Sequence, residues 1–193
     1  MVSDQQLTAF CMLANRLIRR HYGRADSCVF STGVNCDVLQ HFGLEAEPLR
    51  VTATMFANDN IREHYGCVLG SDGNGTRMEA AGEGMWHGHL VGLIENRFIL
   101  DSCLDQANTK NPWLEVTPLV VDLTATDWFK PDVCSDYHCT NNMTPFSSGA
   151  LIRYTKFHRQ IGWRSAGDFR PRRRKELVPR LIAAARPIFA RTV

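Results

Sequence analysis

The hydrophobic period of this chain changes near Leu44, and that change limits the fold class open to it. Before Leu44 the apolar residues recur at helical spacing. Leu7, Phe10, Cys11, Leu13, Ala14, Leu17 and Ile18 form one stripe, and Ser3 with Gln6 fits a capping box ahead of it. A first helix is expected over residues 4–22, ended near Gly23. Asp26 and Ser27 offer caps for a second helix over 28–42, whose apolar positions include Val29, Phe30, Val34, Val38, Leu39 and Phe42 and which stops at Gly43.

After Leu44 the runs are short and β-rich. Leu49 to Phe56 is broken only by Arg50. Residues 57–85 are polar and glycine-rich, with SDGNG at 71–75 as a turn. Leu90 to Ile94 and Phe98 to Leu100 are two apolar runs joined by Glu95, Asn96 and Arg97, a tight hairpin connection. Leu119 to Leu123 and Leu151 to Tyr154 are further strands, and 124–148 reads as loop. Lys175 to Arg186 is a last helix, in which Pro179 is acceptable only in the first turn and which Pro187 should end. Helices, then strands, then a helix argue for a single α+β domain over residues 1–193, with N-terminal helices packed on an antiparallel sheet and a C-terminal helix.

Bulk numbers restrict the function classes. A chain of 193 residues supports one well-buried core. Net charge is +2, and the basic run Arg170 to Lys175 is followed at once by Glu176, so it reads as a solvated face and no nucleic acid is expected. No apolar run reaches the roughly 18 to 20 residues of a membrane span, and the opening residues lack the pattern of a secretory signal. The seven cysteines are odd in number and irregularly spaced. They read as reduced thiols in the cytoplasm rather than a disulfide framework.

Three residues then stand out by position and chain order. Cys28 opens the second helix, where unpaired N–H groups and the helix dipole favour a thiolate and can cradle an oxyanion. Cys36 lies deep in the same helix and reads as core. His89 adjoins the Leu90 to Ile94 strand as a base for the thiol, with His87 on the same face of an extended chain. Asp101 closes the next strand, where a carboxylate can accept Nδ1–H and fix the histidine tautomer, the register being open. Asp105 lies further into the loop and is the weaker choice. Trp86 reads as the wall of a cleft beside His89, with Trp113, Trp128 and Trp163 as core or pocket walls.

Cys28-Val29-Phe30 through Phe42-Gly43-Leu44-Glu45-Ala46 resembles the nucleophile helix of transglutaminase-like cysteine enzymes. Gly88-His89-Leu90-Val91-Gly92-Leu93-Ile94 and Arg97-Phe98-Ile99-Leu100-Asp101 resemble that family's histidine and aspartate strands, and Asp101 to Ala107 is similar to a run found in its bacterial members. The likeness covers residues 25–107. It departs at Val91, where the family usually carries an aromatic. The resemblance implies a papain-like fold and a Cys28, His89, Asp101 triad. Such a triad acts on a peptide or a small amide or acyl substrate, by hydrolysis, transamidation or acyl transfer, with no cofactor or metal. Trp86, His87 and Gln106 are then expected to contact substrate. The competing reading is a non-catalytic binding module of the same fold, with zinc held among His87, His89, Cys103, Cys134, His138 and Cys139.

Overall fold

A computed structural model describes residues 2–22, 28–56, 65–70, 88–126, 128, 137–139, 144–145, 151–157, 163 and 171–190. The capping box at Ser3 is formed: the Gln6 N–H donates to Ser3 Oγ (3.2 Å) and the Ser3 N–H to Gln6 Oε1 (3.0 Å). Helix α1 (Asp4–Tyr22) follows and buries Leu7, Phe10, Cys11, Ala14 and Ile18. Helix α2 (Cys28–His41) is buried without a break from Cys28 to Cys36, so it is the central helix rather than a half-exposed one. It ends at Gly43, whose φ of +80° lets the Leu44 N–H reach the Leu39 carbonyl (3.1 Å) and the Gly43 N–H that of Gln40 (3.0 Å). Gly23, Asp26, Ser27 and the 71–75 turn lie outside the described residues.

The strands are β1 (Ala46–Phe56), β2 (Tyr65–Leu69), β3 (His89–Ile94), β4 (Phe98–Asp101), β5 (Leu119–Asp122), β6 (Tyr137–Cys139), β7 (Thr144–Pro145) and β8 (Leu151–Phe157). Every pairing among them is antiparallel, in the order β5-β4-β3-β1-β8-β6, with β2 also on β1 and β7 on β8. Strand β1 organises the sheet. Its first half pairs with β3 and its second half with β2, so these two strands meet end to end beside Val51 to Ala53. His89 opens β3 at that junction. Strand β8 takes residues Val51 to Phe56 on the opposite edge. Pro48 falls in the half where β3 is the only partner among the described residues, which leaves its missing N–H tolerable.

Three short strands depart from the expected loops. Residues 65–69, 137–139 and 144–145 are extended although 57–85 and 124–148 read as loop. Segments of two to five residues are too short for a period to declare itself, and pairing to β1 and β8 supplies what local pattern does not. Between β4 and β5 the chain makes a single 3₁₀ turn, the four-residue helix α3 (Ala107–Lys110) and a second 3₁₀ turn.

Helix α4 (Pro171–Phe189) is longer than expected and contains both Pro179 and Pro187. Each ring removes one bond, to the carbonyls of Lys175 and Ala183. All four residues are exposed, so both breaks lie on the side of the helix away from its buried stripe. The buried stripe of Leu177, Leu181 and Ala185 is uninterrupted. Arg174 fastens α4 to α2 through both Asp37 oxygens (2.7 Å each), and Gly33 makes room for it, since a Cβ there would lie 3.0 Å from the guanidinium carbon.

The sheet separates two cores. Leu100, Phe98, Ile94 and Ala46 face α1, α2 and α4. Leu49, Val51, Ala53, Val91, Leu93, Ile99 and Tyr154 face the other way, covered by Leu104, Ala107, Leu114, Leu123 and Trp128. No helix among the described residues is long and apolar enough to cross a membrane.

Candidate active site

Glycine fixes where His89 stands. Gly70 follows β2 with φ +97°, and a Cβ there would lie 2.5 Å from the His89 nitrogen and 2.6 Å from the Val51 carbonyl oxygen. Only glycine permits β2 to end against the start of β3 in this way. The β3–β4 connection holds Glu95 and Asn96 at φ +53° and +50°, and the Glu95 N–H donates to the Glu45 carbonyl (2.9 Å). The register it sets is Gly92 opposite Leu100, Leu93 opposite Ile99 and Ile94 opposite Phe98. Continued by one step, Asp101 faces Val91, and His89, two residues before Val91, shares its face.

The two side chains meet on that diagonal. His89 Nε2 lies 2.7 Å from Asp101 Oδ2, with both residues 1% exposed. This corrects the expectation that Asp101 would hold Nδ1. A diagonal neighbour is some 7–8 Å away along the sheet, and the far nitrogen of the ring spans that gap where the near one cannot. Asp101 is further satisfied by the Tyr154 hydroxyl, which donates to Oδ2 (2.9 Å), and by the Cys103 N–H, which donates to Oδ1 (3.1 Å).

His89 Nδ1 faces the other way. Gln106 Nε2 sits 3.0 Å from it, and Gln106 is half-buried where His89 is buried. The Cys28 thiol is also within hydrogen-bonding reach of the ring. Burial opposes a charge on His89 and is the largest single influence. The Asp101 carboxylate, by charge and hydrogen bond, together with the Cys28 sulfur, outweighs it, and the ring is pushed up to about 10. Cys28 itself packs with Val29, Leu90, Cys103 and Trp163. The helix start is held against β3 by Thr32, whose hydroxyl donates to the Leu90 carbonyl (2.8 Å).

The turn after Asp101 is pinned by both N-terminal helices. Asn15 Nδ2 donates to the Ser102 carbonyl (2.7 Å) and to both Asp105 oxygens (3.2 Å each), and Asn35 Nδ2 donates to Ser102 Oγ (2.7 Å). Asp105 is thereby a structural carboxylate, paired with Arg19 at 2.9 Å, and burial raises its proton affinity. The other cysteines whose side chains are described do not compete as nucleophiles. Burial pushes the Cys11 and Cys103 thiols well above their ordinary value and that of Cys36 up to about 12.

Of the residues singled out in the sequence, the structure brings together Cys28, His89, Asp101 and Gln106. Trp86 and His87 lie outside the described residues, as does Cys134. Trp163, not singled out above the other tryptophans, is among the described residues the tryptophan beside Cys28. Tyr154 and Asn35 were missed, because nothing in a single strand or helix stripe marks a hydroxyl or amide that will meet a partner more than 50 residues away. Among the described residues no group of three or more His, Cys, Asp and Glu could hold a metal ion.

Compared with family models, with curated proteins and with solved structures, the chain finds no match.

Proposed function

We propose that the protein is a thiol-dependent acyl-transfer enzyme of papain-like, transglutaminase-like architecture, hydrolysing an amide or peptide bond through Cys28, His89 and Asp101. The observation that carries this reading is the orientation of His89. Asp101 occupies Nε2 in a buried contact of 2.7 Å, which leaves Nδ1 as the working nitrogen, with the Cys28 thiol in reach. The placement of Cys28 at the first residue of a long central helix, packed on an antiparallel sheet, supports the architecture.

The steps follow from these positions. His89 Nδ1 takes the Cys28 thiol proton, and Asp101 stabilises the imidazolium that forms. The sulfur attacks the carbonyl carbon, and the backbone N–H groups at the start of α2 meet the oxyanion. His89 returns its proton to the leaving amine as the carbon–nitrogen bond breaks. Water then attacks the thioester, with His89 again as base. An amine in place of water makes the reaction a transamidation. The free cysteines Cys11, Cys28, Cys36 and Cys103 suit a reducing, cytoplasmic setting.

Iodoacetamide labelling at pH 7, read by peptide mass spectrometry, tests this. One cysteine, Cys28, should alkylate at least tenfold faster than the rest, and Cys28→Ala should remove the fast phase. His89→Gln should slow it by at least about tenfold. Seven thiols reacting slowly and alike would sink the reading.

A further inference from the structure

We propose that Asn35 is a positioning residue for the nucleophile: through Ser102 it ties the helix that carries Cys28 to the end of the strand that carries Asp101. The proposal rests on the acyl-transfer reading above and extends it to how the thiol is held.

Cys28, Thr32 and Asn35 stand at i, i+4 and i+7 of α2, so they share one face of the helix. That face meets the site through two hydrogen bonds. The Thr32 hydroxyl donates to the Leu90 carbonyl (2.8 Å), on the strand that His89 opens. Asn35 Nδ2 donates to Ser102 Oγ (2.7 Å), one residue after Asp101. The opposite face of α2 is tied elsewhere, through Asp37 to Arg174 of α4. Thr32 thus bonds the nucleophile's helix to the histidine side, and Asn35 bonds it to the aspartate side.

The two bonds act as a lever. A helix held at Thr32 alone can pivot about that point. At 1.5 Å per residue, Cys28 lies about 6 Å along the axis on one side of the pivot and Asn35 about 4.5 Å on the other. Fixing Asn35 therefore limits the swing of Cys28. Apolar packing surrounds α2 but is non-directional, whereas an N–H···O bond fixes both distance and angle. Ser102 is a firm anchor for it. Asn15 of α1 donates to the Ser102 carbonyl (2.7 Å), and the next N–H, that of Cys103, donates to Asp101 Oδ1 (3.1 Å).

For packing alone the amide is a poor choice. Asn35 is buried, and among the described residues its Oδ1 has no hydrogen-bond partner. An unmet buried acceptor is destabilising, and an apolar side chain carries no such penalty. The bond to Ser102 is what the amide supplies and an apolar residue cannot.

Alkylation of Cys28 by iodoacetamide at pH 7 reads the placement. Asn35→Leu keeps the γ-branched outline and removes the donor, and Ser102→Ala removes the acceptor. Each should slow alkylation about tenfold, less than the roughly 100-fold that a 1 Å misplacement can cost. The double variant should be no slower than either single one, because both remove the same bond. In both single variants His89 should titrate below its parent position of about 10, which the Cys28 sulfur helps to set, as read by nitrogen-detected NMR. Leu181→Ala, in the core under α4, destabilises the protein without touching this bond. It should leave alkylation within about twofold of the parent and the His89 titration unchanged. If Asn35→Leu does not fold, Ser102→Ala, at a turn residue, carries the same test. A parent rate in either folded variant overturns the proposal. So does a double variant slowed by the product of the two single losses, or a Leu181→Ala variant slowed as much as they are. His89→Gln separates this failure from that of the acyl-transfer reading. Unchanged alkylation in His89→Gln refutes the Cys28–His89 pair itself, whereas slowed alkylation there beside unchanged rates in Asn35→Leu and Ser102→Ala refutes only the role of Asn35.

Discussion

Asp101 holds His89 across the diagonal of the β3–β4 ladder, not from the position opposite it. Val91 is the residue that Asp101 faces, and the carboxylate reaches past it to Nε2 at 2.7 Å. The geometry has a chemical consequence. A carboxylate on the far nitrogen leaves the near one, Nδ1, clear of Asp101, and Gln106 Nε2 sits 3.0 Å from it. Had the hairpin slipped by one residue, Asp101 would have moved to the helix-facing side of the sheet and the ring would have lost its partner.

Replacing Asp101 by Asn keeps the shape and removes the charge. Without the carboxylate, burial acts on His89 unopposed by its main partner, and the ring should titrate well below its present position near 10. The imidazole is then a poor partner for a thiolate, so the fast alkylation of Cys28 should fall by tenfold or more. Breaking a buried pair by removing one member also costs about 3 kcal/mol. Urea unfolding with nitrogen-detected histidine titration measures both effects. A variant of unchanged stability and unchanged His89 titration would contradict the pairing.

The same pair gives stability a defined pH dependence. The His89 pKa is raised from 6.5 unfolded to about 10 folded. Its contribution is therefore fully present below pH 6.5 and is lost as pH rises through about 10. The stability difference between the parent and His89→Gln should be flat on the acid side of 6.5 and shrink steadily toward pH 10. A difference that grows with pH would show the ring to be buried neutral.

Two glycines separate backbone strain from collision. Gly70 and Gly43 both have positive φ, +97° and +80°, but a Cβ on Gly43 meets nothing within 4 Å. Gly43→Ala should cost about 1 kcal/mol, the ordinary penalty of a left-handed L-residue, and leave Cys28 alkylation unchanged. Gly70→Ala adds contacts of 2.5 Å and 2.6 Å with the backbone of His89 and Val51. It should cost more than 2 kcal/mol and displace His89, so that alkylation slows together with the loss of stability. Equal behaviour of the two variants would remove Gly70 from the positioning of the site.

Local rules carried the sequence reading where one segment decides the outcome. The Ser3 box started α1, Gly43 ended α2, and Glu95 to Arg97 turned one strand back on the next. They ran out where a partner arrives from afar. The extended segment at 65–69 has its reason in β1, and the prolines of α4 are tolerated because of which side of that helix meets water. At the site, Cys28, His89 and Asp101 were legible as residue types at element ends. The nitrogen that Asp101 uses was not, because it depends on a register that the hairpin alone sets. Gln106 was placed near the site through a motif, and its contact with Nδ1 follows from the 3₁₀ turn that carries it back over the ring.

Tyr154 reaches Asp101 from β8 and offers the cleanest test of how tightly the buried network is coupled. Its hydroxyl donates to the same oxygen, Oδ2, that His89 uses, and burial first, then the Asp101 charge, holds that hydroxyl protonated. Tyr154→Phe leaves the ring in the core and removes only the donor. A hydrogen bond to a charged group contributes roughly 1.5–3 kcal/mol, so the variant should lose about 2 kcal/mol. In the Asp101→Asn background the same substitution should cost markedly less, because the acceptor is no longer ionised. A double-mutant cycle by urea unfolding should therefore give a coupling energy of about 1 kcal/mol or more. Additive losses would mean that Tyr154 supports β8 and not the carboxylate that orients His89.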